Sequence, residues 1–260
     1  MNQAVLLSSH FINDFVINSY HKLCLDLMQG YDVFLLINVN DSSKVSIPAE
    51  VQHYICDLDA ANSLGYNPIR ESLLPGSCHF PFLRFALDYP QYDFYWFIEY
   101  DVYFTGNWSV LLDDCSRNLH EYDFLSSQIA RYDLNKNGKW QWWYDSNNSG
   151  FVLAESIKGF NPICRYSRQA VTCLDAYLRN GYSAHSEVMI TTCLYHSGLK
   201  IGDFGGNGEF VPEGYEGKYY TPKSPHADDG SIRYRPVFTL LEIVSRNQPC
   251  KIFHPLKPVS

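Results

Sequence analysis

The sequence predicts an α/β fold, an open and mostly parallel sheet flanked by helices in a single domain. Three observations predict it. Short apolar runs alternate with helix-like stretches four times in the first hundred residues, the pattern of right-handed βαβ crossovers. The runs are apolar almost throughout rather than alternating with polar residues, as strands covered on both faces must be. The composition supplies the core: of 260 residues, 46% are hydrophobic and 16% aromatic against 18% charged. That balance excludes intrinsic disorder and suits pockets lined by flat rings.

The elements follow in chain order. Ala4 to Ser9 is the first strand, and FINDFVINSYHKLCLDLMQG the first helix, with Phe15, Ile17, Cys24, Leu25 and Met28 as its apolar positions and Gly30 as its stop. Tyr31 to Asp41 is an unbroken apolar run closed by turn residues, the second strand. Val51 to Asp59 gives the third, HFPFLRFALDY from His79 a helix, and YDFYWFIEYD the fourth and most apolar strand. It ends abruptly in acid at Glu99 and Asp101. Next come a helix (WSVLLDDCSRNL), a strand (DFLSS), the Trp-rich KWQWWYD and a further strand, NNSGFVLAES, from Asn147 to Ser156. CRYSRQAVTCLDAYLRNGY and SEVMITTCLYHSG read as helices, each with a glycine near its C-terminal end. From Gly205 to Pro236 a Gly/Pro/Lys-rich stretch lacks periodicity, long for a loop in a compact domain and so either functional or mobile. No repeat and no linker divides residues 1–260.

Several classes are excluded. Lys+Arg number 20 against 28 Asp+Glu, a net charge of -8, so a nucleic acid would be repelled over most of the surface. The eight cysteines are scattered without a C-x-x-C pair, which reads as free thiols and no zinc site. MNQAVLLSSHF lacks a basic region and a long apolar run, and no later segment approaches the roughly 18 apolar residues of a membrane span. The expectation is a cytoplasmic protein, at most peripherally associated with a membrane. The sequons at Asn40, Asn107 and Asn147 then read as ordinary surface residues.

In an open parallel sheet, ligands bind beyond the carboxyl ends of the strands, here Ser8-Ser9-His10, Asn40-Asp41 and Glu99-Tyr100-Asp101. Neither G-x-G-x-x-G after the first strand nor G-x-x-x-x-G-K-[ST] occurs, so a bound phosphate would need a metal. A D/E-x-D triplet alone says little, since Asp57-Leu58-Asp59 is another. Its position at the end of the fourth strand sets Glu99-Tyr100-Asp101 apart: two carboxylates there can hold a divalent cation against a diphosphate.

FYWFIEYDVYFTGNW resembles the acidic metal-binding motif of nucleotide-sugar-dependent glycosyltransferases of the GT-A fold. That resemblance implies a Rossmann-like sheet, with residues 1–104 as the nucleotide-binding half and 105–260 as the acceptor half. It also implies Glu99 and Asp101 on a manganese or magnesium ion. NNSGFVLAES is similar to the strand beneath the donor sugar, where Gly150 lets the backbone approach; its plainer reading is a core strand entered through a turn. HSEVMITTCLYHSGLKIGDFG looks like the segment that keeps a base near the acceptor hydroxyl, making Glu187 the candidate and His185 its reserve. As a plain helix, Glu187 would simply be an acid favoured by the macrodipole. FHPLKP resembles the closing His-x-x-Lys element, with His254 on the metal and Lys257 on phosphate; otherwise His254 is a solvated residue.

Ser9, Asn40 and Arg84 are the positions available for nucleotide contacts. The resemblance spans about a quarter of the chain and departs from the pattern in its first acid, Glu rather than Asp. What it implies is transfer of a hexose from a nucleotide-diphosphate sugar, a UDP-sugar, to a hydroxyl of a glycan or glycolipid. The reaction would be metal-dependent and inverting, in surface polysaccharide or glycolipid oligosaccharide synthesis. Two alternatives stay open. A sugar nucleotidyltransferase can use the same sheet and acids, although the Gly/Arg/Lys-rich first turn is absent. A non-catalytic carbohydrate-binding or assembly protein would keep Trp140, Trp142 and Trp143 without a working metal site.

Overall fold

The apolar runs pair into one sheet whose register can be followed residue by residue in a computed structural model, which describes residues 1–27, 29–40, 42, 45–71, 73, 75–222 and 230–257. Met28, Asp41 and Pro258 of the motifs above, and 223–229 of the long aperiodic stretch, lie outside the described residues. Strands β1 (Gln3–Ser9), β2 (Tyr31–Asn38), β3 (His53–Cys56) and β4 (Phe94–Glu99) are parallel in the order β3-β2-β1-β4. The two-residue β5 (Tyr103–Phe104) follows, then β6 (Phe124–Arg131), the exposed β7 (Ser146–Asn148) and the long β8 (Ile157–Ser167). Two short strands, β9 (Ser183–Ala184) and β10 (Ile201–Asp203), precede β11 (Ile252–Phe253). The main sheet has seven strands in the order β10-β6-β8-β4-β1-β2-β3, with β8 antiparallel to both neighbours.

Helices cover both faces. On one side α2 (Leu58–Asn62), α3 (Phe80–Asp88), α5 (Arg168–Arg179) and α6 (Ser186–His196) pack over Leu6, Phe34, Leu36 and Phe97. On the other, α1 (Asp14–Asp26) and α4 (Trp108–Asn118) pack over Val5, Leu7, Leu35, Trp96 and Ile98. Alternate residues of one strand thus enter two different cores, which is why these strands read as continuous apolar runs. A small third core forms where α7 (Leu240–Ser245) and β11 bring Phe238, Ile243, Phe253 and Leu256 together.

Three expectations need correction. In α1 the expected Phe15, Ile17 and Cys24 pack half-buried against the core, but Val16, Tyr20 and Leu23 are the buried residues and Leu25 is 73% exposed; the helix is started by Asn13, whose side chain accepts from the Val16 amide at 3.1 Å. NNSGFVLAES is not one strand: β7 ends at Asn148, Gly150 turns the chain at φ +65°, and a 3-10 turn takes Leu153–Glu155. The helix expected from Cys164 starts only at Arg168, because Cys164 to Ser167 close β8. Ser167 then caps α5, its hydroxyl accepting from the Ala170 amide at 3.0 Å.

The described part of the aperiodic stretch is ordered by burial rather than by secondary structure. The Asp203 carboxylate, 2% exposed, accepts from the amides of Ile129, Gly205 and Gly206 and from the Tyr220 hydroxyl. All eight cysteines are free thiols. Among the described residues no helix is long and apolar enough to cross a membrane.

Candidate active site

Parallel register brings the strand ends together. Ser8 of β1 stands opposite Glu99 of β4, and the Tyr100 amide donates to the Ser8 carbonyl at 2.9 Å. The chain then turns through Val102, whose amide donates to the Glu99 carbonyl, so both acids stand at the carboxyl end of the central strand β4. The C-terminal segment is sewn onto this turn: β11 pairs antiparallel with β5, and the Leu256 amide donates to the Asp101 carbonyl at 2.8 Å. His254 and Lys257 thereby enter the same cleft, which has about 400 Å³.

The tautomer of His254 follows from its partners. Its Nδ1 lies 3.0 Å from the Arg233 carbonyl, which can only accept, so Nδ1 carries the proton and Nε2 is left facing the acids. Nε2 is 3.4 Å from Glu99 Oε2 and 3.6 Å from Asp101 Oδ1. One ligand atom from each of the three residues lies within 4.8 Å of the others. Asp101 is 4% exposed, and its Oδ1 is buried with no hydrogen-bond partner among the described residues. A buried carboxylate oxygen without a donor is costly unless something positive completes it. Two carboxylates and an imidazole nitrogen suit a manganese-type ion better than magnesium, which prefers oxygen and water. The residues fit a divalent cation.

Lys257 donates to Asp101 Oδ2 and to the Tyr100 hydroxyl, the latter at 2.6 Å. Burial opposes its charge, but these bonds hold its pKa above the ordinary lysine value. Glu187 faces the cleft from the first turn of α6, and its amide donates to His185 Nδ1 at 3.4 Å. Burial, reinforced by the negative charge of Glu99 and opposed by Lys158, pushes its carboxyl up to about 8. His185, desolvated and stacked on Trp142 at 4.4 Å between centroids, is pushed down to about 4. It is therefore uncharged at neutral pH.

The structure brings Ser9, Glu99, Asp101, Glu187, His254 and Lys257 to one cleft. His185 lines an adjoining cavity of about 570 Å³, which shares Cys78, Glu99, Phe160, Glu187 and Tyr234 with it. Three sequence candidates stand elsewhere. Arg84 is drawn along α3 to Asp88, one helical turn on, and to the Ser63 hydroxyl. Asn40 is exposed and outside the cleft, in hollows that adjoin it through His10 and Asn38. Gly150 packs against Tyr182, whose ring would lie 2.6 Å from an added Cβ. Its small size serves a turn against an aromatic ring, not an approach to the cleft.

Sequence reasoning missed Asn38, Phe160, Tyr234 and Arg235, which also line the cleft. Tyr234 and Arg235 sit in the aperiodic stretch, whose length was their only signal. Asn107 and Asn147 have structural work: the first caps α4 and the second donates to the Ile69 carbonyl.

No family model and no curated protein matches the chain. Solved structures do. An active-site mutant of LgtC matches at 10% identity over 100% of this chain and 89% of that one, TM-score 0.49. The galactosyltransferase LgtC with donor and acceptor sugar analogs matches at 9% over 79% and 75%, TM-score 0.48. The inositol-1-phosphate CTP transferase from T. maritima matches at 12% over 82% and 90%, TM-score 0.43. Transferases of sugars and of nucleotides both stand among these neighbours.

Proposed function

We propose that this chain is a metal-dependent glycosyltransferase that moves a hexose from a UDP-sugar to a hydroxyl acceptor, with inversion. The observation that carries the reading is the Glu99, Asp101 and His254 cluster with its orphaned carboxylate oxygen, in one cleft with Lys257 and Glu187. A divalent ion on that cluster would neutralise charge on the departing nucleotide diphosphate. Lys257 places a second, fully charged cation within reach of the same phosphates. Ser9 and Asn38 line the side of the cleft formed by β1 and β2, where a nucleoside would enter. Glu187 stands at the junction with the second cavity and would accept the acceptor hydroxyl's proton, a role suited to a carboxyl tuned near the working pH. Surface polysaccharide or glycolipid oligosaccharide synthesis is the process such an activity would serve.

The test is a thermal-shift titration with UDP, with and without manganese, on the wild type and Asp101→Ala, followed by a panel of UDP-sugars. A ligand that binds only the folded state must raise its melting temperature. Wild type should be stabilised by UDP only with manganese, and Asp101→Ala should lose that response. Metal-insensitive UDP binding by the variant would overturn the reading. Release of pyrophosphate from a nucleoside triphosphate, rather than UDP from a UDP-sugar, would instead identify a nucleotidyltransferase.

A further inference from the structure

The cavity beside the acidic cleft carries charge that the transfer step does not use. The lining it does not share with the cleft includes Lys139, Trp140, Trp142, Lys158 and His185. Lys158 extends from β8, and its Nζ lies 4.8 Å from the ring centroid of Trp140. Among the described residues its ammonium makes no hydrogen bond and no ion pair. Burial lowers its pKa, and Glu187 is the one charge that opposes that shift. Lys139, on the same lining, is exposed and likewise unpaired among the described residues. Arg70, which lies over Trp142, is by contrast already held by Asp145 at 2.9 Å.

The rest of the lining does not compensate. His185 is uncharged at neutral pH, and the two carboxylates of the lining, Glu187 and Glu99, stand together at the junction, Glu99 beside His254. In a chain of net charge -8, two lysines face one cavity whose carboxylates, Glu99 and Glu187, both lie at its junction with the acidic cleft. A partly buried ammonium is stabilised by a counter-charge or ligand that completes it. Beside it, the indole rings offer apolar surface of the kind that sugar rings pack against.

We propose that this cavity receives the acceptor and that the acceptor is an anionic sugar. Its carboxylate or phosphate is bound by Lys158 and Lys139 beside Trp140, and its hydroxyl reaches Glu187 at the junction. The proposal deepens the transferase reading and rests on it for the word acceptor; the anion preference itself can be measured without turnover.

The experiment titrates the whole protein by calorimetry with two matched pairs: p-nitrophenyl glucuronide against p-nitrophenyl glucoside, and glucose 6-phosphate against glucose. One anionic compound should bind about 10-fold or more tightly than its neutral partner, as a charge-assisted contact requires. Its advantage should shrink as salt is raised. Preference for the glucuronide identifies a carboxylate, and preference for the sugar phosphate a phosphate. In Lys158→Met, which keeps the side-chain length, the advantage should fall to about twofold or less. Lys139→Met, at an exposed position, should remove part of it and keeps the test open if the first variant does not fold.

Equal affinities within both pairs, no binding of either anion at about 10 mM, or a preference that survives both substitutions would overturn the proposal. UDP with manganese is titrated in parallel. Wild-type UDP affinity in the lysine variants shows that the acidic cleft is intact. Absence of UDP binding in the wild type would defeat the transferase reading while leaving the anion preference measurable.

Discussion

Glu187 separates chemistry from packing at a single side chain. A general base is worth roughly 10²–10⁴-fold, whereas an acid that merely meets a helix N-terminus contributes about 0.3–1 kcal/mol to stability. Glu187→Gln should therefore lower kcat by about two orders of magnitude or more with UDP binding unchanged; a near-wild-type kcat would remove it as the base. With its carboxyl pushed up to about 8, kcat/KM should rise with pH up to that region and lose the limb in the Gln variant. Stability should move the other way. The folded pKa is raised from 4.5 to about 8, so the protonated group favours the native state at low pH, and this contribution is lost as pH rises through about 8. The melting temperature of Glu187→Gln relative to wild type should thus increase between pH 5 and pH 9. A constant difference would mean that Glu187 titrates like a solvated glutamate. His254→Ala offers a third residue-level check: manganese should stabilise the UDP complex less than in the wild type, and an unchanged manganese response would take His254 out of the metal site.

At the scale of the elements, β8 is both the strand the sequence concealed and the one that ties two layers together. Its Arg165 is fully buried, and the guanidinium donates to the carbonyls of Cys115 and Leu119 at the end of α4 and to that of Tyr122. Burial brings it down to about 10, which still leaves it charged at neutral pH. Arg165→Met would leave the Tyr122 carbonyl without its donor and take the second donor from those of Cys115 and Leu119, which keep the amides of Leu119 and Tyr122, a loss of about 1–3 kcal/mol, or a fall of about 2–12 °C in melting temperature. Activity per folded molecule should persist; a shift below about 2 °C would show that water satisfies those carbonyls. The same residue explains why β8 was illegible. Lys158, Gly159, Asn161, Pro162 and Arg165 break any period of two; Arg165 is accommodated by the end of α4 and Lys158 by the cavity it faces. By contrast β1, β2 and β4 were legible because burial on both faces leaves no room for polar residues. The error over Leu25 has a similar origin: it is apolar and next to Cys24, and only packing shows that the helix turns Val16, Tyr20 and Leu23 inward and leaves Leu25 outside.

Across the whole molecule, the site is assembled from parts that spacing alone could not join. Glu99 and Asp101 were visible because an apolar strand stops in acid. His254 and Lys257 were visible only through resemblance, since what brings them to the acids is the pairing of β11 with β5. Lys158 carried no signal at all, because a single lysine in a broken strand looks like surface. The cleft and the cavity share Glu99, Glu187, Phe160 and Tyr234 as a common wall, and that wall has a kinetic consequence. When a donor is bound and no glycan is present, the neighbouring chamber fills with solvent, and water beside Glu187 is itself a hydroxyl nucleophile. On the proposed transfer, the protein should then hydrolyse a UDP-sugar slowly, releasing free sugar that chromatography can count. This leak should decline as the true acceptor displaces the solvent, and it should disappear with Glu187→Gln. A donor that stays intact without acceptor yet turns over with it would mean that the chamber closes to water before chemistry begins.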